Sequence, residues 1–300
     1  MIEVLSRAMC FVVIIAMGII LRRVGFFKAE DFSVLSRTAI RITLPAAVIT
    51  SFAGKDIDLS LLGLGLVAFT GGMIYMFVGA LLNKTPADKA FGIVNTCGYN
   101  IGNFTLPFVQ SFLGAGGVIA TSLFDVGNAC ICLGGSHAMA SLVKDGKGFD
   151  LGRLLKALAT STTFMTYVVM VTLSILKISL PGFVVECAGI IGAANPFVAM
   201  LMIGVGFRLE ANREQLGKVA KILIPRYAIA VVLALLSWNF LPFDATIRTA
   251  VVILQFSPIG SAAPAYTGDL GGDAGLAAAV NSISILCSIP IIVSLLLVLL

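Results

Sequence analysis

Asp125 stands among Leu123, Phe124, Val126 and Gly127, with Asn128 three residues on along the same helical face. A carboxyl in such apolar surroundings either takes up a proton or holds Na⁺ with nearby carbonyls, the two chemistries that couple a membrane carrier to an ion. The competing role is a structural pair with an arginine. Asn281, in a later apolar run, is its approximate counterpart, so Asp125, Asn128 and Asn281 are the candidate cation-coupling residues.

Two further stretches carry neutral polar groups. Cys97-Gly98-Tyr99-Asn100-Ile101-Gly102-Asn103-Phe104-Thr105-Leu106-Pro107 and Gln255-Phe256-Ser257-Pro258-Ile259-Gly260-Ser261-Ala262-Ala263-Pro264 are the poorest helix formers in the apolar portion of the chain. Proline lacks an N–H and clashes with the preceding turn, and glycine weakens the helical ladder. Each stretch is therefore expected to unwind, around Gly98, Gly102 and Pro107 in the first and around Pro258 and Pro264 in the second. Asn100, Asn103, Thr105, Ser257, Gly260 and Ser261 are the candidate substrate contacts, because amides, hydroxyls and open backbone bind a carboxylate without the desolvation cost of a buried fixed charge. The competing account is a pair of packing kinks with small residues at helix contacts.

Arg37 and Arg41 share one helical face. Arg41 sits about 15 Å from the basic end of its run, too deep for easy snorkelling, and is expected to face Asp125, an anionic substrate (as a counter-charge) or an interfacial surface. Arg226 lies nearer a basic loop and is expected to snorkel, while Lys177 and Glu186 mark an outer rim. His137 follows Ser136 with no Asp placed to complete a nucleophile and base. Tyr266-Thr267-Gly268-Asp269 is expected in a loop and lacks the second intramembrane Asp of an aspartyl protease. No catalytic residue, enzymatic activity or organic cofactor is expected.

The elements that must position these groups belong to a bilayer. The chain has 300 residues, of which 59% are hydrophobic and 12% charged, and its mean hydropathy is +1.05. A soluble domain carries about 25% charged residues, so soluble enzyme and secreted disulfide classes are excluded. The net charge of +5 is scattered between apolar runs and makes no nucleic-acid-binding patch. The six cysteines form no Cys-x-x-Cys pair and imply neither a zinc site nor a disulfide framework.

About 20 apolar residues cross a hydrocarbon core about 30 Å thick, and the apolar runs divide into ten segments: 4–21, 31–53, 59–82, 88–112, 116–143, 152–176, 182–207, 217–241, 245–267 and 273–300. The expected fold class is an all-α polytopic membrane protein. Basic residues favour the cytoplasmic side. Arg22, Arg23, Lys28, Lys84, Lys89, Lys144, Lys147, Arg153, Lys156, Arg208, Arg213, Lys218 and Lys221 fall in odd-numbered connections, against only Arg7, Lys55, Lys177 and Arg248 at the N-terminus and in even-numbered connections. Both termini are expected outside the cytoplasmic face of a plasma (inner) membrane.

Five segments per half would invert one half relative to the other, with units 1–145 and 146–300. Leu44-Pro45 in the second segment pairs with Asn195-Pro196 in the seventh. Pro107 and Pro264 each precede a Leu-Gly pair, Leu113-Gly114 and Leu270-Gly271, by the same spacing. Interrupted helices four and nine, brought together by this inversion, are the arrangement in which transporters bind substrate at the midplane.

Ten segments, inverted halves and Asn100-Ile101-Gly102-Asn103-Phe104-Thr105-Leu106-Pro107 resemble the auxin efflux carrier family, in a compact form with a short central loop. The resemblance spans the chain in topology and is specific in motif only at segments four and nine. It implies a fold similar to the bile-acid sodium symporters, with segments four and nine crossing beside the substrate. Asn100, Asn103, Pro107, Pro258 and Pro264 would form that crossover. It also implies alternating-access transport of a small organic anion such as malate, malonate or an auxin-like acid. Coupling to H⁺ or Na⁺, with Na⁺ near Asp125, and a homodimer are compatible with it. The alternative is an anion channel or membrane receptor that does not alternate.

Overall fold

The computed structural model describes residues 2–28, 30–146, 150–207 and 213–300. Lys147 and Arg208, counted in the charge asymmetry, lie outside them. All secondary structure among the described residues is helical: α1 Ile2–Arg23, α2 Asp31–Thr38, α3 Leu44–Phe52, α4 Gly63–Leu81, α5 Pro86–Thr96, α6 Leu106–Cys130, α7 Ser136–Asp145, α8 Leu151–Thr160, α9 Thr162–Ile175, α10 Gly182–Ala193, α11 Asn195–Gly206, α12 Arg213–Phe240, α13 Ala245–Gln255, α14 Ala263–Asp269 and α15 Ala274–Leu299. Wide π turns join α2 to α3 at Ala39–Thr43, lead into α6 at Ile101–Thr105 and join α6 to α7 at Ile131–Gly135.

Among the described residues seven helical stretches are long and apolar enough to cross a bilayer, eight if the bent pair α8–α9 is one span. The protein is a helical membrane-embedded protein. One of these stretches, Pro86–Asp145, contains 60 residues and would reach about 90 Å if straight, so it must fold back. It does so at Gly114, whose φ of 60° and ψ of −153° leave the helical region. A methyl group on Gly117 would lie 2.8 Å from Val109 Cγ1, whereas residues eight apart in a continuous helix are separated by about 12 Å.

Small residues bring the helices close where lipid provides no hydrophobic drive for their association. Gly127 packs directly on the Gly65 backbone, Gly92 on Gly79, and Gly204 on Gly18 and Ile15. Across the middle of the bundle runs a buried polar chain. Thr43 Oγ1 donates to Asn195 Oδ1 at 3.0 Å, Asn195 Nδ2 to Gln110 Oε1 at 3.1 Å, and Gln110 Nε2 to the Gly192 carbonyl at 3.0 Å. It ties the interruptions before Pro45 and Pro196 to α6, giving their loosened backbone the internal partners that lipid cannot supply.

Two expectations change. Segment 152–176 is not one rod: α8 and α9 meet at Ser161 at 75°. The Ser161 hydroxyl accepts from Phe164 N at 3.3 Å, and α8 exposes Leu151 and Leu155 beside Arg153 and Lys156, a composition suited to the membrane surface. Tyr266–Asp269 is not a loop but the last turn of α14, because Pro264 sits in the first turn of that helix, where its missing N–H costs little.

Candidate functional site

Helix α5 stops at Thr96, and Cys97 is extended, with φ −91° and ψ 174°. Gly98 follows at φ +76°, a left-handed conformation that glycine adopts without strain. The helix resumes through the Ile101–Thr105 turn into α6, with Pro107 in its first turn. The second interruption separates α13, ending at Gln255, from α14, which starts at Ala263 with Pro264 in its first turn. Both interruptions lie at the stretches that the sequence marks.

The two openings touch. Asn100 N donates to the Pro258 carbonyl at 2.9 Å. Thr105 and Ser257, both wholly buried, share a hydroxyl–hydroxyl bond of 2.6 Å, and Asn103 Nδ2 reaches Ser261 Oγ at 3.4 Å. Each opening is also gripped by an asparagine. Asn128 accepts from Tyr99 N at 3.0 Å and donates to Tyr99 O at 2.9 Å. Asn281 donates to Ile259 O at 2.9 Å and to Gly260 O at 3.4 Å, while Ser284 Oγ accepts from Ile259 N at 3.2 Å. Asn281 and Asn128 thus each bond the backbone of one opening.

Thr105→Val is expected to lower stability by about 1 kcal/mol, because it leaves a buried Ser257 hydroxyl without its partner. The double variant Thr105→Val with Ser257→Ala removes both groups and is expected to recover most of that loss. Thermal melting of the single and double variants checks this.

Beside the crossing lies a cavity of ≈ 170 Å³, to which Gly98, Asn100, Gly102, Asn103, Asp125, Asn128, Gly260 and Ser261 all contribute. Where the helix resumes, Asn100 N and Ile101 N are paired with the Pro258 and Tyr99 carbonyls, each at 2.9 Å, and Gly102 and Asn103, which follow in the first turn, line the cavity. Asn103 is 7% exposed, and its Oδ1 has no hydrogen-bond partner. Because the Ser261 hydroxyl can either donate or accept, a half-turn of the amide would pair Oδ1 and leave an unpaired N–H₂ in its place. Thr105, Ser257, Pro107, Pro258, Pro264 and Asn281 are not among the lining residues. They hold the two openings in shape.

Asp125 is half-buried in the cavity wall. Its Oδ1 accepts from Asn128 Nδ2 at 2.8 Å and its Oδ2 from Tyr167 OH at 3.0 Å, so its partners are neutral and the arginine pair is not formed. Arg41 is exposed, makes no hydrogen bond or ion pair with a described residue, and does not line the cavity. Both Asp125 oxygens are satisfied by N–H and O–H donors without a cation. Among the described residues no group of three or more His, Cys, Asp or Glu is placed to hold a metal ion.

Arg226 does not snorkel. It is 1% exposed and sits behind the crossing. Its Nη2 donates to Gly98 O at 2.9 Å, Ser257 O at 2.8 Å and Pro258 O at 3.3 Å, and its Nη1 donates to Thr96 O. Its guanidinium carbon lies 4.8 Å from the Tyr75 ring centroid and 5.8 Å from that of Tyr99. The end of α5, at Thr96, and the unwound stretch just after α13, at Ser257 and Pro258, both point carbonyls at it. The signal available in the sequence was a charge within an apolar run. Tyr167 had no such signal, since only the fold brings it to Asp125.

No protein-family model matches the chain, and no curated protein sequence matches it.

Proposed function

We propose that this protein is a secondary transporter of small organic anions, built from ten membrane segments in two inverted halves and working by alternating access around the crossing of the α5–α6 and α13–α14 segments. The observation that carries the reading is the pair of interrupted helices meeting backbone to backbone beside a polar cavity, the arrangement of a midplane transporter site. Ten segments follow if Pro86–Asp145 counts as two, divided at Gly114, and if α13–α14 counts as one broken span. The inverted halves are supported by matched devices: prolines 45 and 196 each begin a helix after an interruption, prolines 107 and 264 do the same at the crossing, and Asn128 and Asn281 each hold one opening.

The likeness of Asn100–Pro107 to the auxin efflux carriers points the same way. With basic connections on the cytoplasmic face and both termini opposite, the cavity lining at Ile40, Ser136, Ser161 and Tyr266 falls in the cytoplasmic half. Substrate is a small carboxylate, because the cavity is smaller than the ~300 Å³ and upward of drug-sized sites and offers N–H and O–H donors. The coupling ion is H⁺ at Asp125.

A melting screen of carboxylates on the purified protein tests the site. Malonate or malate at about a hundred times its dissociation constant contributes about 2.7 kcal/mol, a rise of several degrees in a protein of this size. Asn103→Leu, which replaces the unpaired amide at the cavity wall, is expected to abolish the rise while leaving the ligand-free melting temperature within a few degrees. An unchanged rise in the variant would remove Asn103 from the site.

A further inference from the structure

We propose that Arg226 is the resident cation of the crossing, a tethered positive charge occupying the position where crossover carriers bind a free metal cation, so that anion binding here needs no Na⁺. The proposal rests on the crossover reading above and adds to it the source of the positive charge. Four carbonyl oxygens converge on one guanidinium, two from each opened segment: Thr96 and Gly98 from the first, Ser257 and Pro258 from the second. Unwound carbonyls and helix C-termini of this kind are the groups that coordinate a coupling cation in broken-helix transporters. Here the position is filled by a group that cannot leave or be deprotonated.

Among the described residues the partners of Arg226 are those carbonyls and the Tyr75 and Tyr99 rings, with no carboxylate. A buried cation left without a counter-ion is costly. The negative ends of α5 and α13 offset part of that cost, and an anion entering the cavity lined by Gly98 and Tyr99 would offset more. The same guanidinium thereby closes the metal position and favours a negatively charged guest.

The full-length protein in detergent is melted in NaCl and in choline chloride at equal ionic strength. Wild type is expected to melt at the same temperature in both. Arg226→Ala is expected to melt about 10 °C lower in choline, with methylguanidinium or Na⁺ at millimolar concentration restoring part of the loss saturably. A wild type stabilised saturably by Na⁺ but not by choline overturns the proposal, and so does a folded Arg226→Ala indifferent to both added cations. If Arg226→Ala fails to fold, Arg226→Lys takes its place. Its ammonium keeps the charge with a poorer fit to four oxygens, so it is expected to melt a few degrees lower and remain insensitive to Na⁺, and a saturable Na⁺ response in it overturns the proposal. None of these readings requires transport. A protein that behaves as expected here yet fails to exchange substrate keeps its resident cation and loses only the carrier assignment.

Discussion

Asn128→Leu is expected to abolish transport and to lower the melting temperature by about 5 °C. The Asn128 side chain uses all of its polar capacity. It accepts from Tyr99 N at 3.0 Å and from Cys132 Sγ at 3.2 Å, and it donates to Tyr99 O at 2.9 Å and Asp125 Oδ1 at 2.8 Å. Leucine has similar bulk and none of these bonds. It leaves the Tyr99 N–H unpaired, at about 1–3 kcal/mol for a buried group, and takes one of two N–H donors from the Tyr99 C=O, which keeps Ile101 N at 2.9 Å. It also takes one of two donors from Asp125. Tyr99 holds the opening in register through its ring as well, since its hydroxyl donates to Gln255 Oε1 at 2.8 Å, at the end of α13. Losing the backbone grip therefore disturbs both openings at once. Melting temperature and liposome exchange measured on the same preparation check the expectation. A variant that exchanges substrate within twofold of wild type would show that the opening does not need Asn128.

Asp125→Asn is expected to separate transport from the proton gradient. The substitution keeps the shape of the side chain and an acceptor for the Tyr167 hydroxyl, but it removes the group that can gain and lose a proton in the cavity wall. In liposomes with the membrane potential held at zero and a pH difference of one unit, wild type coupled to one proton should accumulate malonate roughly tenfold, since one pH unit is worth about 1.36 kcal/mol. The variant should bring malonate only to equal concentrations on the two sides, while still exchanging labelled for unlabelled substrate. Accumulation by the variant equal to that of wild type would place coupling elsewhere.

The interruptions were legible in the sequence because their causes are local. Gly98, Pro107, Pro258 and Pro264 each deny the helix a conformation or a bond whatever surrounds them, and the glycine-rich turn at 113–117 is local in the same sense. Asp125 and Asn103 were legible because a polar group in an apolar run must find a use. What the sequence hid depends on distance along the chain. Arg226 follows Pro225 near a basic loop and reads as a residue able to reach water, yet the path of α12 carries it to carbonyls contributed 31 to 130 positions away. Tyr167 is one of two aromatic residues in its apolar segment, with Phe164, and nothing nearby in sequence marks it as the partner of Asp125, 42 positions earlier. The bend at Ser161 left a trace in Thr160-Ser161-Thr162-Thr163, a run of residues that cap helices better than they continue them. Length and hydropathy outweighed it.

Counterflow is the most direct measurement. Purified protein in liposomes preloaded with unlabelled malonate, with tracer malonate outside, should take up tracer faster than liposomes loaded with buffer alone, with an initial rate that saturates, because a carrier returns loaded more readily than empty. Uptake that is saturable but indifferent to the internal load, or that rises linearly with concentration as through an open pore, would contradict a crossing that alternates between two faces.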